Sequence, residues 1–289
     1  MKKIILSAVV IAAMSSGAAA EEPEGWKSFA KTGLALSQTS LSDNWSGSET
    51  GSIAWTWTFL GEAEKRVHPK ALWSNTLNMA FGQTHQYDTP TERWQKPIKS
   101  TDKIRLDTVV RVILGGWVDP YVAGYFKSQF YDEMEGSDNK PRLNPAVISE
   151  SAGLAHAFLE EEGKNLVTRA GFGLRQNRNA FASGKEWTHD GGLEWVTDWR
   201  FAGVEEKTVY LSKLTVYKAL FFSESDTVEG TPQEDDWKSP DVDWENTFTN
   251  KLTEWLSLDI YFQWVYDKQQ SKTGQYKQTL GVGLVYQFL

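Results

Sequence analysis

The chain has no cysteine. It therefore has no disulfide and no thiolate metal site, and its fold must hold by packing and hydrogen bonds alone. It has four histidines, His68, His85, His156 and His189. None has a serine two residues away, the spacing that would set a nucleophile and its base on one face of a strand. His189 stands beside Asp190, but adjacent strand residues point to opposite faces, so this pair is not a rim protease dyad. Beyond residue 20 no apolar run is long enough for a transmembrane helix. Helical periodicity is nearly absent there as well. The net charge of −8 argues against nucleic acid as a partner.

What is present begins with the first twenty residues. Lys2 and Lys3 precede the apolar "IILSAVVIAA" (4–13), and "AAA" (18–20) offers a small-residue cleavage site before "EEPE". This pattern predicts an export signal over 1–20 and a single mature domain over 21–289. Export without disulfides suits a chain that is stable without cross-links.

The mature sequence alternates. "SIAWTWTF" sets Ile53, Trp55, Trp57 and Phe59 against Ser52, Ala54, Thr56 and Thr58. "KIRLDTVVRV" sets Ile104, Leu106, Val110 and Val112 against Arg105, Asp107 and Arg111. "GLEWVTDWRF" sets Leu193, Trp195, Trp199 and Phe201 against Glu194, Asp198 and Arg200, and "WLSLDIYFQWVYD" repeats the pattern from Leu256. Period-two alternation marks strands with one apolar face. Counted with weaker cases near 32–41, 71–82, 147–159, 165–176, 208–221 and 243–252, the chain has about twelve such strands.

The connections alternate too. Short polar turns are expected at 62–70, 115–120, 160–165, 203–207 and 251–255, and long polar loops near 42–50, 83–102, 131–146, 177–191, 223–242 and 267–276. Nothing in a soluble sandwich requires long and short connections to take turns, whereas an outer-membrane barrel has this layout. Mean hydropathy of −0.47 does not oppose a barrel, because alternating strands average to low values. The 14 Trp, 10 Tyr and 14 Phe fit rings at the headgroup level, although an aromatic core or a carbohydrate-binding surface also uses such residues. The expected fold is an all-β, transmembrane, antiparallel, up-and-down β-barrel. Its last strand, "QTLGVGLVYQFL", must close on its first so that no backbone edge faces lipid. Phe288, near the end of that strand, is the expected signal for the outer-membrane assembly machinery. Outer-membrane lipids and lipopolysaccharide are the other expected partners.

Several stretches resemble a family of bacterial outer-membrane barrels known as domain of unknown function 3078. "SLSDNWSGSETGSI" (40–53) is similar to the family's first external loop, with Ser48 where a second glycine is commoner. "LWSNTLNMAFG" (72–82) is similar to its third strand, and "KSTDKIRLDT" (99–108) to its Lys-Ser-x-Asp-Lys-Ile-x-Leu segment. "WLSLDIYFQWVYD" and "LGVGLVYQF" are similar to its closing hairpin. The resemblance implies an outer-membrane location and no established activity. The salt-induced type of small outer-membrane barrel has the same architecture and a weaker match.

The strand register places Arg105, Arg111, Lys127, Arg169, Arg175, Arg200, Lys213 and Lys251 inside, with Asp107, Glu194, Asp198, Glu245, Asp259 and Asp267. Isolated charges in a narrow interior are costly, so these should pair or be wetted. They either fill the barrel or line a narrow channel for a small polar solute. The loop 223–243 carries eight acids and reads as a solvated loop without calcium-loop spacing. Asn44-Trp45-Ser46 matches a glycosylation sequon without a context that uses it. No cofactor and no enzymatic activity are expected. An outer-membrane lipid-modifying enzyme is the third alternative, after the channel and the filled barrel.

Overall fold

A computed structural model describes residues 25–40, 50–88, 91–134, 138–161, 163–203 and 207–288. The expected signal over 1–20 and the sequon at Asn44 lie outside them. Twelve long strands form one antiparallel sheet: β1 (Lys27–Thr39), β2 (Ser52–His68), β3 (Ala71–Asp88), β5 (Ile98–Val112), β6 (Asp119–Ser128), β7 (Ala146–Glu161), β8 (Lys164–Arg178), β9 (Trp187–Ala202), β10 (Thr208–Phe222), β11 (Pro240–Lys251), β12 (Leu256–Tyr266) and β13 (Gln275–Gln287). The two-residue β4 (Arg93–Trp94) pairs with the end of β3. Each long strand pairs with its sequence neighbours, and β13 pairs with β1, so the sheet closes into a barrel.

Alternation decides which face is which. Leu193, Trp195, Phe172, Leu154, Leu280, Val282 and Leu284 are exposed on the outside. Arg105, Asp107, Arg169 and Glu194 are buried on the inside. A closed sheet that is apolar outside and polar inside is the reverse of a water-soluble protein and fits a bilayer. Lipid offers no water to an indole N–H, so it must be satisfied by the protein. Four outward tryptophans donate to a hydroxyl on the neighbouring strand: Trp57 Nε1 to Thr32 Oγ1 at 2.9 Å, Trp73 to Thr108 at 2.8 Å, Trp195 to Thr168 at 2.6 Å, and Trp244 to Ser212 at 3.0 Å. These four hydroxyls are polar groups on the otherwise largely apolar face, each matched to an indole.

Two connections are shorter than expected. Residues 62–68 belong to β2, and the turn before β3 is only Pro69–Lys70. Much of 83–102 is strand, β3 running to Asp88 and β5 starting at Ile98. Glu62 and Glu64 look like turn residues by polarity, yet they alternate inward and the ladder to Thr76 and Ser74 continues through them. Strands of 17 and 18 residues exceed the ~9–11 needed to span a bilayer, so both extend beyond it.

At the closure, β1 and β13 share only five register pairs, from Lys31↔Gln287 to Ala35↔Gly283. Phe288 adds one bond, its N–H donating to Ala30 O at 2.8 Å, and its ring meets Tyr286 edge-on at 4.8 Å.

A candidate site in the barrel lumen

The inward charges converge on a belt near mid-height. Arg105 forks onto Asp107, with Nε to Oδ2 at 2.8 Å and Nη2 to Oδ1 at 3.1 Å. Such bidentate, charge-assisted pairs are strong and directional. Lys213, on the opposite wall, reaches Asp107 Oδ1 at 2.7 Å and Asp198 Oδ1 at 3.5 Å. Arg169 Nη1 completes the chain at 2.9 Å from Asp198 Oδ2. Lys103 pairs with Glu245 across the lumen, and Arg105 Nη1 stands 3.6 Å from the same carboxylate. Lys127 crosses from β6 to Asp243 on β11 at 2.7 Å. Toward the long loops, Arg175 pairs with Asp190 and with Asp241, both at 2.8 Å, and its guanidinium lies 3.6 Å from the centre of the Tyr217 ring.

Below the belt, on the short-turn side, lies a cavity of about 510 Å³. Arg105, Asp107 and Lys213 roof it, and Glu62, Arg111 and Arg200 line it. Arg200 Nη1 faces Glu62 Oε2 at 3.5 Å from the opposite side of the barrel. Arg111 pairs with Glu160 and stands 3.8 Å from Asp119. Asp259 is held locally, accepting from Thr249 Oγ1 and Ser257 Oγ at 2.6 Å each. Lys251 Nζ meets Gln287 Oε1 at 3.5 Å.

One wall is built differently from the rest. Across β7, β8 and β9 the inward positions include Gly153, Gly171, Gly173 and Gly192. Tyr121 and Tyr217 lie over them, 3 % and 2 % exposed. A Cβ on Gly171 would stand 2.8 Å from Tyr121 Oη, and one on Gly173 3.5 Å from the Tyr217 ring. Glycine here makes room for a ring on the inner surface.

Of the residues singled out from the sequence, Arg105, Asp107, Lys127, Arg169, Asp198 and Lys213 meet in the belt, with Glu245. Arg175 stands above it, Arg111 and Arg200 below. Glu194 lies in the glycine wall and Asp259 against β11. Asp267 is a correction: it lies just past β12, where its carboxylate accepts from Gln269 N at 2.9 Å and Gln270 Nε2 at 2.7 Å, closing a turn of the outer loop. Alternation had been extended past the last paired residue of the strand. Asp241 and Asp243, counted among the loop acids, are inward residues of β11. They share parity with Glu245, which was the signal available for them. Lys103, Glu62 and Asp190 also carry the network and were missed. Lys103 and Asp190 share the inward parity of Arg105 and Glu194.

Three of the six remaining loop acids pair with lysines: Glu224 with Lys185 at 2.8 Å, Asp235 with Lys238 at 2.6 Å, and Asp236 with Lys268 at 3.1 Å and Lys272 at 3.4 Å. No group of three or more potential metal ligands occurs among the described residues.

Comparison with known proteins adds a partial family match to this geometry. The family model "Protein of unknown function (DUF3078)" matches residues 36–133. This third of the chain holds the first loop, third strand and Lys-Ser-x-Asp-Lys-Ile-x-Leu segment quoted above. No curated protein matches. Among solved structures, the COG4313 outer membrane channel from Pseudomonas putida F1 is similar at 11% identity, over 95% of this chain and 99% of that one, with a TM-score of 0.44. The translocator domain of the autotransporter NalP from Neisseria meningitidis aligns at 12% identity, over 92% and 89%, with a TM-score of 0.35. The chain is a membrane β-barrel, as its closed sheet and inverted faces require.

Proposed function

We propose that this chain is a non-enzymatic barrel of the bacterial outer membrane, and that its lumen is a narrow passage for small polar solutes, shut at rest by its charged belt. One observation carries the reading: Lys213 joins Asp107 to Asp198 across the lumen, while Lys103 and Arg105 reach Glu245 from the far wall. Long lysine stems can swing aside, which a packed apolar plug cannot do. The cavity below the belt supplies a polar approach to it. The test is planar-bilayer recording of the refolded protein and of Lys213→Met. Wild type should show rare, small current steps, and the variant more frequent and larger ones. Silence from both over repeated insertions would overturn the passage. It would favour a structural or partner-binding barrel with a filled lumen, the reading that the tyrosine-covered wall supports.

A further inference from the structure

Glu194 stands apart from the other luminal acids. It is 4 % exposed, and its Oε1 accepts from Ser151 Oγ at 2.7 Å. Its Oε2 is buried without a hydrogen-bond partner. Among the described residues it has no cation within ion-pair distance. The neighbouring luminal bases are engaged elsewhere: Arg169 by Asp198, Arg175 by Asp190 and Asp241, Arg105 by Asp107 and Glu245. A buried carboxylate with one unmatched oxygen is costly unless a cation or a donor reaches it.

The surroundings supply further oxygens. Tyr121 lies beside Ser151 and Glu194. Its Oη sits over Gly171, which pairs directly with Glu194. That hydroxyl is likewise buried, and its neighbour is the Ser151 hydroxyl, which already donates to Glu194. Gly173 keeps the space between Ser151 and Glu194 open, since a Cβ there would stand 3.6 and 3.7 Å from theirs. Oxygen donors suit hard cations, and a single carboxylate among neutral oxygens favours a monovalent ion over a divalent one, since affinity for the latter rises with ligand charge. Arg169, whose guanidinium lies 5.9 Å from the Tyr121 ring centre, is neutralised by Asp198.

We propose that Glu194 Oε2 and Tyr121 Oη, with Ser151 beside them, form a binding site for an alkali-metal cation in the wall of β6–β9. The site stands whether or not the barrel conducts, because it lies in the wall and not across the lumen.

The test uses the refolded full chain in detergent, its unfolding midpoint read from heat-dependent gel mobility. Rubidium chloride is compared with tetramethylammonium chloride at matched ionic strength, so that screening is equal. The wild-type midpoint should rise saturably with rubidium alone. Glu194→Gln should abolish that rise, and Tyr121→Phe should raise the half-saturating rubidium concentration roughly tenfold. Crystals grown in rubidium should show anomalous density beside Glu194. Equal midpoints in the two salts for wild type, or an unchanged rubidium response in Glu194→Gln, would overturn the site. Should Glu194→Gln fail to fold, an unchanged response in Tyr121→Phe together with no anomalous density at Glu194 in wild type would overturn it as well.

Discussion

The wall from β6 to β9 and the seam from β13 to β1 are both lined inward by small residues, and they are opposites in how closely they are packed and paired. In the wall, Gly153, Gly171 and Gly173 are covered by Tyr121 and Tyr217, and neighbours such as Val196 and Ser149 are 2 % exposed. Its strands pair along their length, fifteen register pairs between β7 and β8 and fifteen between β8 and β9. In the seam, Gly33, Ala35, Gly281 and Gly283 face inward, and the two strands share five pairs. Leu36 and Leu280, on the outer face just beyond the last of them, are 67 % and 66 % exposed. Small residues therefore have two uses here. Under a ring they bury surface and thicken the wall. Without a ring they leave the sheet thin, and the ladder alone holds it.

The sharpest way to break this comparison is a single methyl group on each side. Gly171→Ala would drive Cβ into the Ala152 carbonyl and to 2.8 Å from Tyr121 Oη. With backbone on one side the wall cannot relax, so the loss should exceed about 4 kcal/mol. Gly281→Ala meets only the Ala35 Cβ at 3.6 Å, ordinary contact, and should fall within about 0.5 kcal/mol. Urea titration of folding into bilayers measures both, and equal losses would end the distinction.

A smaller effect separates the two faces next to the seam. Phe262 and Gln263 are neighbours on β12, one outward and the other inward, where Gln263 Nε2 donates to Asp243 Oδ1 at 2.7 Å. Phe262→Arg should cost about 2–4 kcal/mol near the bilayer midplane, while an arginine at Gln263 meets an acid and a polar lumen and should cost about 1 kcal/mol or less. The same titration decides, and a larger loss at Gln263 would reverse the face assignment of the seam's flank.

The smallest effect lies in the outer loops above the seam side. Lys268, then Lys272, hold the Asp236 carboxyl below the usual carboxylate range. A group whose folded-state value is depressed contributes above its unfolded value and loses that contribution as pH falls through the folded one. Docking of the β12–β13 loop on residues 236–238 should therefore be intact at neutral pH and loosen only in acid, below the ordinary Asp range. Amide exchange at 268–272 should rise there, and Asp236→Asn should show the raised exchange already at neutral pH. No change across that range would remove the loop contact from the account.

Much of this barrel is legible in the sequence because a strand has only two faces. Trp195 and Asp198 must point to opposite sides whatever else happens, so the lipid face and the luminal set follow from parity. Parity misleads where a strand end is unmarked, as with Asp267 beyond β12 and Asp241 before the expected start of β11. It also cannot explain why Thr32, Thr108, Thr168 and Ser212 stand among lipid-facing residues. Each serves an indole on the adjacent strand, a fact that needs the pairing register.

The sequence by itself determined the strand faces and the order of short and long connections, because alternation and turn chemistry are local. Only the tertiary structure decided that Lys213 bridges Asp107 and Asp198, that Arg200 meets Glu62, and that Glu194 is left with an unmatched oxygen. Those pairings depend on which strands face one another once the sheet has curved and closed. That is set by the register of every strand together and by the glycines that let tyrosines fill one wall.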